Sequence, residues 1–257
     1  MARGPTLGRL EAAGCGHEAR CYSLGPNVCG RFTLTTRDFE RIASAFEAEP
    51  LAGADLQRCV GRFNIAPTQM ALMVWEQDGR RVLGDARWGF VRQGDAKPGL
   101  LINARSETAH ERRAFSAAFA AHRGVIVADG FYEWTGPKGA RVPHWFHRPH
   151  PPEQPPGLFG LAALVRPALG EEDVRFCLLT REATTWMQQF HDRMPVMLPP
   201  RLTGAWLDTR RDVPRQTMLP LTEFVVSTRV NRGEEDDPSL LAPKPPSPLQ
   251  GELFGDA

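Results

Sequence analysis

Five short clusters in this sequence put a reactive or charged side chain beside residues able to orient it. They are Cys29-Gly30-Arg31-Phe32, Asn64-Ile65-Ala66-Pro67-Thr68, Asn103-Ala104-Arg105-Ser106-Glu107-Thr108, Asp129-Gly130-Phe131-Tyr132-Glu133-Trp134 and His191-Asp192-Arg193-Met194-Pro195. Together they hold a thiol, a carboxylate, an imidazole, an amide and several guanidinium groups. That set suits a nucleophile, a general acid or base, an orienting group and a phosphate clamp. Each cluster alone also has a structural explanation. Glu133 could lie on the solvent side of an alternating strand, Arg105 could pair with Glu107, and His191 could close a helix C-terminus. Residue types alone leave a cysteine protease, an amidase and a DNA-processing enzyme equally open.

The elements that must position these groups are mixed. Phe39, Ile42, Ala43 and Phe46 recur at helical spacing, with Thr35 as cap and Asp38 at the capping-box position. Residues 71–76 read as a strand, Asp78-Gly79 as a hairpin turn, and a return strand runs toward Trp88. Ser106 is expected to cap a second helix whose face includes Phe115, Ala118 and Phe119. Apolar runs at 124–128, 158–165, 175–180 and 195–198 read as strands. Strands outnumber helices and rarely alternate with them, which argues against a doubly wound parallel sheet. The expectation is an α+β fold: one compact domain around a strongly bent, mainly antiparallel β-sheet with a few short helices. Residues 1–28 show no sustained period and are expected to be an extension without stable structure. The domain is expected over 29–243, with a tail over 244–257 signalled by Pro243, Pro245, Pro246 and Pro248. Residues 143–156 hold three histidines and six prolines and read as a surface loop, because prolines prevent a compact ligand cage.

Composition narrows the partners. The 257 residues carry a formal net charge of +1, so nucleic-acid contact must be local rather than a broad basic face. Cys15, Cys21, Cys29, Cys59 and Cys177 are scattered, odd in number and free of any CxxC pair. This argues against a disulfide framework and a zinc site. No apolar run approaches the ~18 residues of a membrane span, and no secretory h-region follows Arg3 and Arg9. No metal, cofactor or membrane partner is expected, and the reading is of a cytoplasmic monomer, nucleoid-associated when bound to DNA.

The five clusters, in this order, resemble the SRAP family (SOS response-associated peptidase, or abasic site processing proteins). The resemblance runs from about Cys29 to Pro243 and includes Ser227-Thr228-Arg229-Val230-Asn231. It implies a β-rich fold that binds single-stranded DNA and crosslinks to abasic sites during the DNA-damage response. It implies a catalytic set of Cys29, Asn103, Glu133 and His191. It also puts Arg31, Arg105 and Arg193 near phosphates, and Trp88 and Trp134 as candidates for stacking on bases. In the family the cysteine becomes residue one, and its α-amine and thiol close a thiazolidine on the open-chain sugar aldehyde. Lyase chemistry and an autopeptidase step are further reactions of such a site.

Two departures stand out. Residues precede Cys29, for which a misassigned start at Val28 is preferred to proteolytic removal of 1–28. After Trp88-Gly89-Phe90, where the family often carries Pro-x-Trp, this chain has Val91-Arg92-Gln93-Gly94-Asp95, and Val127 replaces a common proline. The competing readings are a peptidase using Cys29 with His191 as base, and a non-catalytic module that binds damaged DNA.

Overall fold

In chain order the computed structural model contains strands β1 (Arg31–Leu34), β2 (Glu49–Pro50), β3 (Arg62–Ile65), β4 (Met70–Gln77), β5 (Arg80–Trp88), β6 (Phe90–Val91), β7 (Leu100–Leu101) and β8 (Asn103–Arg105). These are followed by β9 (Arg123–Ala128), β10 (Gly130–Thr135), β11 (Val142–His147), β12 (Phe159–Arg166), β13 (Arg175–Glu182), β14 (Arg193–Pro195), β15 (Met197–Leu198) and β16 (Thr222–Val225). Among the described residues three short α-helices accompany them: α1 (Phe39–Phe46), α2 (Ser116–Ala121) and α3 (Thr203–Leu207). The described residues are 29–92, 99–168, 173–213 and 219–244. The extension over 1–28, the departure at 93–95 and nearly all of the tail lie outside them.

Two sheets carry the domain. The smaller has the order β16-β11-β10-β1-β3, and all its pairings are antiparallel. The larger runs β14-β13-β12-β9-β4-β5-β2, and β13 also pairs with β5. That last pairing, Arg175 with Arg87 and Phe176 with Trp88, closes β13, β12, β9, β4 and β5 into a ring. The sheet is bent to the point of closure, and the fold is mainly antiparallel with few short helices, as the sequence suggests. The β4–β5 hairpin turns at Asp78 and Gly79, both at positive φ (52° and 75°), as a two-residue primed turn requires.

The core forms where the small sheet packs on the ring. Phe32 of β1 lies 5.1 Å from the Trp88 ring, and Trp88 stacks on Phe176 at 5.8 Å. Phe131 of β10 stacks on Phe146 of β11 at 5.0 Å. Tyr132, Trp145, Val226 and Val230 make a separate cluster on the other face of the small sheet. β-strand alternation therefore sends Phe131 and Glu133 inward, toward the ring, and Tyr132 and Trp134 to the opposite face.

Three local expectations differ from the structure. The cap of α1 is Asp38, whose Oδ1 accepts the Arg41 amide at 2.9 Å. Thr35 is instead drawn to Asp129, giving it both its amide and its hydroxyl at 2.6 Å. Ser106 caps no helix, because its amide bonds the Thr180 carbonyl at 2.8 Å beside β8, and α2 begins ten residues later. The His-rich stretch begins as strand β11, with His144 and His147 buried. Pro143 is tolerated there near the strand start, where its carbonyl still accepts the Val226 amide at 3.0 Å.

Asp129 shows how the Asp-Gly-Phe-Tyr-Glu-Trp cluster holds the fold. Its fully buried carboxylate also accepts the Thr33 hydroxyl at 2.7 Å. Gly130 beside it has no room for a Cβ, which would lie 2.2 Å from Nε1 of Trp145. Asp129→Ala strands three donors, the buried Thr33 hydroxyl and the part-buried amide and hydroxyl of Thr35, and is expected to lower stability by about 3–5 kcal/mol. Urea unfolding measures this, and a loss under about 1 kcal/mol would contradict the assignment.

Candidate active site

The nitrogen of Cys29 and the carboxylate of Glu133 meet in the interior. Cys29 N donates to Glu133 Oε1 across 104 positions of sequence. Both residues are buried: Cys29 is 0% exposed and Glu133 2%. The meeting follows from register. β1 pairs antiparallel with β10, Arg31 opposite Tyr132 and Phe32 opposite Phe131, so the chain just before β1 runs alongside Glu133. Cys29 has φ 46°, in the left-handed region that side chains other than glycine rarely adopt.

Burial controls the chemistry of both groups. It raises the Glu133 carboxyl to about 8, opposed by amide donors from Cys29 and Trp134 and by the Arg141 charge, and helped by Asp192. A carboxyl in that range can both give and take a proton near neutrality. Burial, and after it the Glu133 charge, holds the Cys29 thiol well above its ordinary value. The thiol is therefore protonated.

His191 follows the 3-10 turn Met187–Gln189 and is half-buried. Its Nδ1 lies 3.0 Å from the Arg193 amide and 2.7 Å from the Asp192 carboxylate. Burial lowers its pKa, although Asp192 pulls the other way, so the ring is neutral near pH 7 and accepts the Arg193 amide. Arg141 and Asp192 act electrostatically on both Glu133 and His191, which makes them common neighbours of the two. The ring of Phe190, next to His191, lies edge-on 5.0 Å from His144, the cross-strand partner of Glu133. Asn103 is the half-buried first residue of β8, beside Leu178 of β13.

The guanidinium and indole groups are distributed differently from the sequence expectation. Arg105 is exposed; its carbonyl accepts the Thr108 amide at 3.2 Å, while no hydrogen bond or ion pair engages its side chain among the described residues. Arg193 forms a two-pronged pair with Glu107, 2.9 Å on each arm, and donates to the Thr180 carbonyl at 2.8 Å. Its charge is largely answered within the protein, and it links the Asn103 and His191 clusters across β13. Arg31 registers with Tyr132 and so shares the face away from Glu133. It is occupied there by Asn64 Oδ1 at 3.0 Å and the carbonyls of Val230 and Asn231. Trp134 shares that face and donates to Asn231 Oδ1 at 2.7 Å. Trp88 is fully buried in the core and donates to the Ile102 carbonyl at 3.0 Å, so it has no face to offer a base. Asn64 serves as a latch, its Nδ2 donating to the carbonyls of Val230, Arg232 and Glu235 at 2.8–3.2 Å. Among the described residues, no group of three or more His, Cys, Asp or Glu is placed to hold a metal ion, and no helix is long and apolar enough to cross a membrane.

Arg141 and Trp186 escaped the sequence reading. Arg141 ends the turn joining β10 to β11, and the Gly136-Pro137-Lys138-Gly139 stretch is a turn signal that marks this hairpin. Trp186 carried no signal, since only three-dimensional packing shows that it stays at the surface.

Comparison with known proteins adds the following. A model of the family described as SOS response associated peptidase (SRAP) matches residues 28–232. The abasic site processing protein YoqW of Bacillus subtilis (strain 168) is 29% identical over 230 residues, covering 83% of this chain and 99% of that protein. The abasic site processing protein YedK of Escherichia coli (strain K12) is 29% identical over 190 residues, covering 70% and 79%. Among solved structures, a phage-related protein of Bordetella bronchiseptica superposes with TM-score 0.60 at 27% identity, covering 77% of this chain and 94% of that one. A protein of Bacteroides thetaiotaomicron shares the fold with TM-score 0.66 at 15% identity, covering 84% and 100%.

The raised carboxyl gives a pH test. Between its ordinary 4.5 and about 8, Glu133 keeps a proton in the folded chain that the unfolded chain has released. Its contribution to stability is therefore full below about 4.5 and is lost as pH rises through about 8. Glu133→Gln stays neutral throughout. In urea titrations across this window the variant is expected to gain on the parent as pH rises, whereas parallel curves would contradict a buried, proton-holding carboxyl.

Proposed function

The chain belongs to the SOS response associated peptidase (SRAP) family, and on that premise we propose that it captures abasic sites in single-stranded DNA covalently, through the α-amine and thiol of Cys29 acting as the N-terminal residue. The observation that carries this reading is the hydrogen bond from the Cys29 nitrogen to the buried Glu133 carboxylate. An abasic sugar opens to an aldehyde. A free amine attacks its C1′, forming a C–N bond, and Glu133 takes the proton that nitrogen gives up. The carboxyl hands that proton to the oxygen, giving a carbinolamine, and this then loses its hydroxyl as water, protonated by the same carboxyl as the remaining proton on nitrogen is given up. The thiol adds across the resulting imine: sulfur bonds to C1′ and the thiol proton passes to nitrogen. One aldehyde oxygen leaves as water and a thiazolidine remains.

Two features favour an amine at this nitrogen. A residue with nothing before it lacks the preceding carbonyl whose clash with Cβ makes φ 46° costly. An α-amine also has an ordinary pKa of about 7.7–8.0, leaving a useful neutral fraction. A protonated thiol suits late addition to an imine. It does not suit a thiolate peptidase, which needs the opposite shift. In this reading neutral His191 donates to the sugar oxygen, Asn103 orients the Cys29 residue, and exposed Arg105 takes a phosphate next to the opened sugar. Arg193 assists by fixing the backbone around it. The near-neutral overall charge fits an affinity that rests on a few contacts and is completed by a covalent bond.

Single-turnover reactions with abasic oligonucleotides test the roles. Glu133→Gln is expected to slow adduct formation by about 100-fold or more, with affinity for a non-reactive abasic analogue kept within about twofold. Cys29→Ala keeps the amine, so its adduct should survive heating only after borohydride reduction. Parent-like rates in the Glu133 variant, or a heat-stable unreduced adduct with Cys29→Ala, would exclude the mechanism.

A further inference from the structure

The site described above lacks one thing a single strand needs, an exposed ring on which a flanking base can rest. Trp88 is buried and Trp134 lies on the far face. Trp186 is different: it is 38% exposed, among the few large apolar side chains so open. It is also held rather than loose. Its ring sits edge-on to Phe146 at 5.8 Å and to Phe190 at 5.5 Å. Phe190 in turn contacts Phe146 at 5.0 Å and His144 at 5.0 Å. These contacts fix the indole by its neighbours' rings while leaving surface uncovered.

Its position relative to Glu133 follows from register. His144 opposes Glu133, and Phe146, which supports Trp186, opposes Phe131 on the same inward face. Trp186 therefore lies beyond Glu133 in the direction away from the β10–β11 hairpin. Arg141, exposed at that hairpin, lies on the other side and acts on both Glu133 and His191. From Arg141 to Phe146 the strand covers roughly 16 Å at ~3.3 Å per residue. A cation, the reacting pair and a fixed aromatic ring thus lie in a row.

We propose that Trp186 is a base-stacking platform that holds a nucleobase flanking the abasic residue, while Arg141 takes a backbone phosphate on the opposite side of Glu133. Indole faces accept any base, and guanidinium groups suit phosphate, so the pair fits single-stranded DNA of any sequence. A protein partner would be expected to meet a wider apolar patch than one indole beside an arginine. The inference rests on the abasic-site reading of Cys29 and Glu133, and adds to it a subsite that those residues do not provide.

The test uses fluorescence anisotropy with two single-stranded oligonucleotides. Each has a tetrahydrofuran abasic analogue at its centre, and in the second the flanking nucleotides on both sides are also tetrahydrofuran. Trp186→Ala should weaken binding to the first by about fivefold or more, while Trp186→Phe stays within about twofold of the parent. On the second oligonucleotide the parent and Trp186→Ala should bind alike, since no base remains to stack. Equal affinity of parent and Trp186→Ala for the first would overturn the proposal. So would an equal loss on both, which would mark a structural effect of the substitution. A parent that neither binds the analogue nor crosslinks to a true abasic site would overturn the abasic-site reading, and this subsite with it.

Discussion

A carboxyl group buried between two sheets must either hold its proton or find a donor. Glu133 does both: burial raises it to about 8, and the Cys29 nitrogen donates to it. The contact requires the antiparallel register of β1 and β10, which brings residues 104 positions apart together. It requires the ring of larger-sheet strands that packs against Phe32 and Phe131 and keeps water away. It also requires the backbone at Cys29 to turn back on itself. A small change in any of these would move the nitrogen out of reach of the Glu133 carboxyl. A group that both accepts and donates protons near neutrality is what imine formation needs, because the same step sequence removes a proton from nitrogen and later adds one to oxygen.

Several motif residues hold the backbone around the contact between Cys29 and Glu133 rather than reach it. Asp129 gathers Thr33 and Thr35, and Gly130 leaves room for the Trp145 indole. Asn64 and Arg31 bind the backbone of the 3-10 turn Thr228–Asn231 and its surroundings. Arg193 ties β14 to Glu107. The polar groups among them have their hydrogen-bond partners inside the molecule, so they fix register rather than bind a ligand. Arg105 and Arg141 remain at the surface, Glu133 is buried and His191 is half-buried, both with altered proton affinities.

The periodic parts of the fold were readable because local spacing reports burial directly. The β4–β5 hairpin and the apolar strands β9, β12 and β13 stand near where alternation and the Asp78-Gly79 turn put them. β1, β10 and β11 were not recognised as one sheet, since their pairing is long-range and Pro143 and the histidines disguise β11 as loop. Thr35 lost its cap role to a distant carboxylate, and Ser106 to a carbonyl of β13. The cluster residues were visible as types, and their resemblance to a family supplied roles. Sidedness was not visible. That Glu133 faces the core while Arg31 and Trp134 face away depends on strand register, and the exposure of Trp186 depends on how two aromatic rings, Phe146 and Phe190, pack against it.

The claim on which the account turns is that the Cys29 nitrogen works as a free amine. Intact-mass measurement on two forms of the protein tests it most directly: the chain beginning at Met1, and the same chain beginning at Cys29, each mixed with single-stranded DNA carrying one abasic site and then heated. The account predicts a heat-stable mass increase equal to the DNA minus one water for the form beginning at Cys29, and none for the form beginning at Met1. A heat-stable adduct on the chain that keeps residues 1–28, or no adduct on the chain that begins at Cys29, would contradict it.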